Sequence, residues 1–63
     1  MPYRIKEARL EQGLTQEELA QKSGISRVTI SGLESGKLVV TTTDTLIKIA
    51  SALGRKVSEI FLE

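Results

Sequence analysis

The stretch from Ser26 to Gly36, SRVTISGLESG, divides its residues cleanly when wound as a helix at about 100° per residue. Arg27, Val28, Ser31, Gly32 and Ser35 fall on one side; Ile30, Leu33 and Glu34, flanked by Thr29, fall on the other. The first side offers one cation, one methyl-bearing residue, two hydroxyls and a glycine, which is chemistry for contact and hydrogen bonding. It is not chemistry for turnover. The chain has no cysteine and no histidine, so it lacks a thiolate or imidazole nucleophile, and a zinc site would have to be built from carboxylates, which zinc does not favour. A Gly-rich phosphate loop after a strand and a convergent carboxylate pair are also missing from the pattern, so the sequence implies neither an enzyme nor a cofactor or metal. One feature of the face needs a reason: glycine inside a helix costs about 1 kcal/mol relative to alanine, yet Gly32 sits there.

The elements that must position this face are all helical in spacing. In the first segment Ile5, Ala8, Arg9 and Gln12 share one side, Leu10 and Leu14 are expected to extend the apolar surface, and Gly13 ends the helix. Thr15 with Glu18 forms a capping box that opens a second helix, TQEELAQKS, with Leu19 and Ala20 facing inward; Gly24 stops it. Ser26 caps the third helix, which closes at Gly36. Only about three residues separate helices two and three, the spacing of a helix-turn-helix. KLVVTTT, residues 37–43, reads as an extended connection, because a single strand has no partner in this chain. A fourth helix, TDTLIKIASALG, places Leu46, Ile49, Ala50 and Leu53 on one face. A short fifth helix in SEIFLE is expected to be capped by Ser58, with Ile60 and Phe61 as apolar anchors. The expected fold is all-α, five helices without a sheet.

Sixty-three residues make one domain at most, taken as 1–63. The start, MPYRIKEARL, has no apolar run of signal-peptide type, and no stretch reaches the length of a membrane span, so a cytoplasmic protein with no membrane partner is expected; Met1 reads as a natural start. The formal charge of +1 says little about partners unless the charges segregate in space. A single tyrosine and a single phenylalanine leave no platform on which bases of a single strand would stack. No small-molecule ligand is evident.

Gln16, Leu19, Ala20, Gly24, Ile25, Ile30 and Leu33 together carry more than any one of them. A small residue at 20 lets helix three cross close to helix two, Gly24 makes the turn, and the three apolar residues seal the angle. At this spacing the set resembles the helix-turn-helix of the lambda-repressor and Cro family, small five-helix DNA-binding domains of phage and bacterial regulators. LTQEELAQKSGIS, TDTLIKIASALG and VSEIF are similar to family segments as well, so the resemblance covers almost the whole chain. It implies a sequence-specific regulator of transcription, a repressor, that places helix three in the major groove of double-stranded DNA. The matching family positions imply base contacts from Arg27, Val28, Ser31 and Gly32, with Arg27 bidentate to guanine and Val28 against a thymine methyl. They imply phosphate contacts from Gln16, Ser26, Ser35, Lys37 and Thr41 or Thr42, which set register without reading sequence. Arg9 and Glu34 match an ion pair of some phage repressors. Val57, Ile60 and Phe61 are the candidates for a homodimer interface, which in turn implies a palindromic operator.

Three departures accompany the resemblance. Position 32 usually bears a long polar side chain, position 43 is Thr43 where leucine is common, and KLVVTTT lacks the proline and extra cations of many members. With the near-neutral charge and the apolar Leu38–Val40 segment, these motivate a second expectation: a protein-interaction or antitoxin-like module of the same fold with weak or no DNA reading.

Overall fold

The protein is described here by a computed structural model covering residues 3–38 and 41–61. Among them lie five helices: α1 (Ile5–Glu11), α2 (Gln16–Ser23), α3 (Arg27–Ser35), α4 (Thr43–Ala52) and α5 (Val57–Ile60). No strand forms among these residues; an isolated antiparallel bridge joins Tyr3 to Phe61, tying the segment before α1 to the end of α5. The fold is therefore all-α. No helix among the described residues is long and apolar enough to cross a membrane. Val39 and Val40, within the expected extended connection, lie outside the described residues, as do Met1, Pro2, Leu62 and Glu63.

Local chemistry sets where the helices start. Thr15 Oγ1 accepts the Glu18 N–H at 3.0 Å while Glu18 Oε1 accepts the Thr15 N–H at 2.8 Å, which closes the capping box of α2. Ser26 Oγ accepts the Thr29 N–H at 3.2 Å, and Thr42 Oγ1 accepts the Thr45 N–H at 3.1 Å, so α3 and α4 each open on a hydroxyl cap. Helix α2 ends at Gly24, whose φ of 76° is the left-handed conformation that turns the chain sharply toward α3.

Helix α2 packs against both α3 and α4, α5 against α4, and α1 against α3. Ile5, Leu19, Ile30, Leu33, Ile49, Leu53 and Ile60 are fully buried at their junction, with Leu14, Ala20, Ile25, Leu38 and Val57 closing the margins. Burial of each large aliphatic side chain contributes about 1.5–3 kcal/mol.

Two expectations are corrected. Leu10 does not extend the core; it is 59% exposed, since it lies about 140° round α1 from Ile5, beyond the stripe set by Ile5, Ala8 and Arg9. Ser58 does not cap α5 but lies inside it: Lys56 is the cap residue, and its N–H donates to Glu59 Oε1 at 2.7 Å. A carboxylate three residues on thus stabilises the helix start, where the hydroxyl of Ser58 has no such role.

Candidate nucleic-acid interface

Helix α3 presents two unlike sides. Ile30 and Leu33 are fully buried and Glu34 nearly so, while Arg27, Val28 and Ser35 are exposed and Thr29, Ser31 and Gly32 half-exposed. Val28 is 77% exposed, which removes it from the core and leaves its isopropyl group facing outward. The apolar side of α3 thus fixes the helix to the core and leaves the other side free for contact.

What orients α3 from beneath is a polar cluster. Arg9 Nε donates to Glu34 Oε2 at 2.8 Å and Arg9 Nη2 to Glu34 Oε1 at 3.1 Å, a bidentate pair joining α1 to α3. Arg9 Nη1 donates to the Leu14 carbonyl at 2.7 Å, and Gln16 Nε2 donates to Glu34 Oε1 at 3.1 Å. The hydrogen bonds that Arg9 donates to Glu34 raise its pKa above the ordinary guanidinium range, outweighing the burial that lowers it. Among the described residues no buried side-chain nitrogen or oxygen lacks a partner, so the cluster meets the condition on which buried polar groups are tolerated.

Arg27 sits at the outer end of the same cluster. Its Nη1 donates to Gln16 Oε1 at 3.4 Å and its Nε lies 3.8 Å from Glu17 Oε1. Both contacts are long and solvent-exposed, so they steer the guanidinium without immobilising it. Gln16, at the first position of α2, is half-buried and holds Glu34 and Arg27 with its two amide ends.

The remaining hydroxyls are engaged locally. Ser26 Oγ donates to Thr29 Oγ1, Ser35 Oγ donates to the Gly32 carbonyl and accepts from the Lys37 N–H, and Thr42 Oγ1 donates to Thr45 Oγ1. Thr41 is half-buried before α4, and Lys37 is exposed directly after α3. Of the three dimer candidates, Ile60 is fully buried and offers no surface; Val57 packs at the core margin. Phe61 alone of the three is exposed, at 41%, with its ring centroid 5.5 Å from that of Tyr3.

Two residues join the face that sequence reasoning passed over. Lys6 of α1 lines a shallow hollow with Arg9, Gln16, Ser31, Glu34 and Ser35. Its place three residues before Arg9, on the flank of the same helix side, was the available signal. Leu38 lines a larger groove of about 500 Å³ with Arg27, Val28, Ser31, Gly32 and Lys37. No local pattern assigns it there, because the contact depends on the path of the chain after α3. Leu38 is thereby drawn out of the apolar segment that favoured an interaction module, and Val39 and Val40 lie outside the described residues.

Residues 5–60 match the model of the helix-turn-helix family of the Cro/C1 type. An uncharacterized HTH-type transcriptional regulator of Methanothermobacter thermautotrophicus is 47% identical over 62 aligned residues, covering 92% of this chain and 84% of that protein. Regulators of the same description from Archaeoglobus fulgidus and Methanocaldococcus jannaschii are each 40% identical, covering 98% of this chain and 87% and 92% of their own lengths.

Proposed function

We propose that the chain, which belongs to the Cro/C1-type helix-turn-helix family of DNA-binding transcriptional regulators and is not an enzyme, reads a specific duplex site by docking α3 in the major groove. The observation that carries the proposal is the two-sided α3: Ile30, Leu33 and Glu34 are held in the core while Arg27, Val28, Ser31 and Ser35 face outward between two cations, Lys6 and Lys37. In the groove, Arg27 donates two hydrogen bonds to guanine O6 and N7, and Val28 packs on a thymine methyl. Gln16, at the positive end of α2, meets a phosphate, as do Lys37, Ser35 and Ser26; Thr41 and Thr42 reach the backbone beside them. The hydroxyls of Ser26 and Thr42 do this while serving as helix caps: each keeps accepting its capping N–H and turns its one proton from Thr29 Oγ1 or Thr45 Oγ1 to a phosphate oxygen.

Two copies bind a palindromic operator with half-sites about 34–36 Å apart, and occupancy of a promoter represses it. Phe61, exposed and backed by the buried ring of Tyr3, is the apolar surface from which the pairing is built, and the single domain of residues 1–63 is the binding unit. Selection from a random duplex library, followed by salt-titrated binding to the winning sequence, tests this reading. A symmetric selected site and an affinity that falls as salt rises are expected. Failure to bind any duplex at low salt would discard it.

A further inference from the structure

Gly32 leaves a gap in the outward face of α3, and a residue from outside the helix fills it. A Cβ placed at Gly32 would stand 3.0 Å from Leu38 Cβ and 3.7 Å from Leu38 Cδ2. The Leu38 N–H also donates to the Gly32 carbonyl at 3.0 Å. The nearest atom is the Cβ of Leu38, which moves only with its backbone, and that backbone is fixed by the hydrogen bond. Glycine at 32 is thus the residue that lets the chain after α3 fold back against the helix. The side chain of Leu38 then takes the place of the one missing at position 32.

The consequence is an apolar strip on an otherwise polar face. Val28, Thr29 and Leu38 line the groove of about 500 Å³ whose floor is Gly32. Arg27 opens α3 and Lys37 follows it, so the strip is bracketed by cations one helix length apart, about 14 Å at 1.5 Å per residue. That arrangement complements a duplex groove, in which base edges lie between two rows of phosphates. Among base edges in the major groove, the one apolar group is the C5 methyl of a pyrimidine. A donor such as the cytosine amino group would lose water against Val28 and Leu38 and find no acceptor on their side chains.

We propose that the Val28–Gly32–Leu38 strip is a reading site for a pyrimidine C5 methyl, and that Leu38, in the segment after α3, is a specificity-determining residue. The inference rests on α3 being the helix that enters the major groove. Thymine and 5-methylcytosine carry the same methyl, so the test separates them.

The probe is the duplex selected from the random library, with each thymine replaced singly by deoxyuridine. A single replacement in one half-site is expected to weaken binding about fourfold, the equivalent of about 0.8 kcal/mol for one buried methyl-sized group. In Leu38→Ala, which keeps the Cβ against Gly32 and removes the isopropyl group beyond it, the same replacement should cost less than twofold. Placing C·G at that position and then 5-methylcytosine·G should recover about fourfold if the methyl alone is read. If thymine is immaterial throughout and only 5-methylcytosine tightens binding, the methyl is that of a modified cytosine.

The proposal is overturned if wild type tolerates deoxyuridine at every thymine and gains nothing from 5-methylcytosine. It is equally overturned if Leu38→Ala, folded by circular dichroism, keeps the full fourfold penalty, since the methyl is then read elsewhere. Duplex binding with no methyl preference removes this inference and leaves the DNA-reading function standing; no duplex binding at all removes both.

Discussion

The buried pair between Arg9 and Glu34 gives the sharpest test of how α3 is held. Their side chains are 10% and 4% exposed, and Glu34 accepts two hydrogen bonds from Arg9 and one from Gln16. Replacing Arg9 by Met preserves bulk but strands the Glu34 carboxylate with a single neutral donor. Removing one partner of a buried ion pair costs about 3–5 kcal/mol. A core of this size rarely supplies more than about 3–5 kcal/mol in total. Arg9→Met is therefore expected to be largely unfolded in buffer. The double variant Arg9→Met with Glu34→Leu removes both charges and refills the space, and should lie between wild-type stability and about 4 kcal/mol above it.

Urea unfolding followed by helical circular dichroism measures both, and the non-additivity should reach at least about 3 kcal/mol. The reasoning fails if Arg9→Met lies within about 1 kcal/mol of wild type, or if the double variant is as unstable as the single. The sign of the Arg9 shift adds a constraint. Because its pKa is raised in the folded state by the hydrogen bonds to Glu34, its contribution is fully present below the ordinary guanidinium range and is lost only as pH climbs through the still higher folded value. Arg9 itself therefore introduces no pH dependence at neutral or mildly alkaline pH. A loss of stability between pH 7 and 9 that disappears in the double variant would contradict that assignment.

Gly32→Ala sets a helix-propensity gain of about 1 kcal/mol against an overpacking cost of about 1–3 kcal/mol at Leu38. Thermal unfolding should find it no more stable than wild type, whereas the same change made in a Leu38→Gly background should stabilise; a clear gain in the wild-type background would show that Leu38 yields freely. Val28→Ser lies on a side chain 77% exposed, so stability should stay within about 0.5 kcal/mol of wild type while affinity for the selected duplex falls, and equal binding would remove Val28 from the interface. Lys6 and Lys37 border α3, and one phosphate contact from each would give a log-affinity against log-salt slope of about −2 per protomer; Lys6→Ala and Lys37→Ala should each flatten it by about one, and an unchanged slope in either excludes that residue.

Much of this architecture is legible because it is written in bonds between near neighbours. Thr15 with Glu18, Ser26 and Gly24 declare helix boundaries through hydrogen bonds that span two or three residues and one left-handed backbone angle. The two sides of α3 follow from period alone. Legibility stops where residue type is an ambiguous guide. Leu10 is apolar yet exposed, because one leucine on a small surface carries no penalty that folding must avoid. Ser58 has the usual chemistry of a cap, but burial of Ile60 fixes the phase of α5 and leaves Lys56 at its entrance. At Gly32 the sequence shows only that a side chain is missing from the outward face. Its actual neighbour, six residues on, emerges only when the chain after α3 folds back.

The same tertiary step resolves how a chain of net charge +1 can present a cationic surface. Arg9 is neutralised internally by Glu34, Lys48 of α4 pairs with Asp44 at 3.2 Å, and Arg55 before α5 pairs with Glu11 of α1. Those cations lie on or beneath other elements, and what borders α3 is Lys6, Arg27 and Lys37. Among the described residues the carboxylate paired with one of them is Glu17, 3.8 Å from Arg27 in an exposed pair of a kind that contributes at most about 1 kcal/mol. In the proposed complex Arg27 exchanges one weak ion pair and one 3.4 Å bond to Gln16 for two hydrogen bonds to a guanine. Bidentate base contacts are worth about 1–3 kcal/mol in discrimination, so the exchange favours the specific complex. The Arg9–Glu34 and Gln16–Glu34 hydrogen bonds do not use the Arg27 guanidinium, so the exchange breaks none of them.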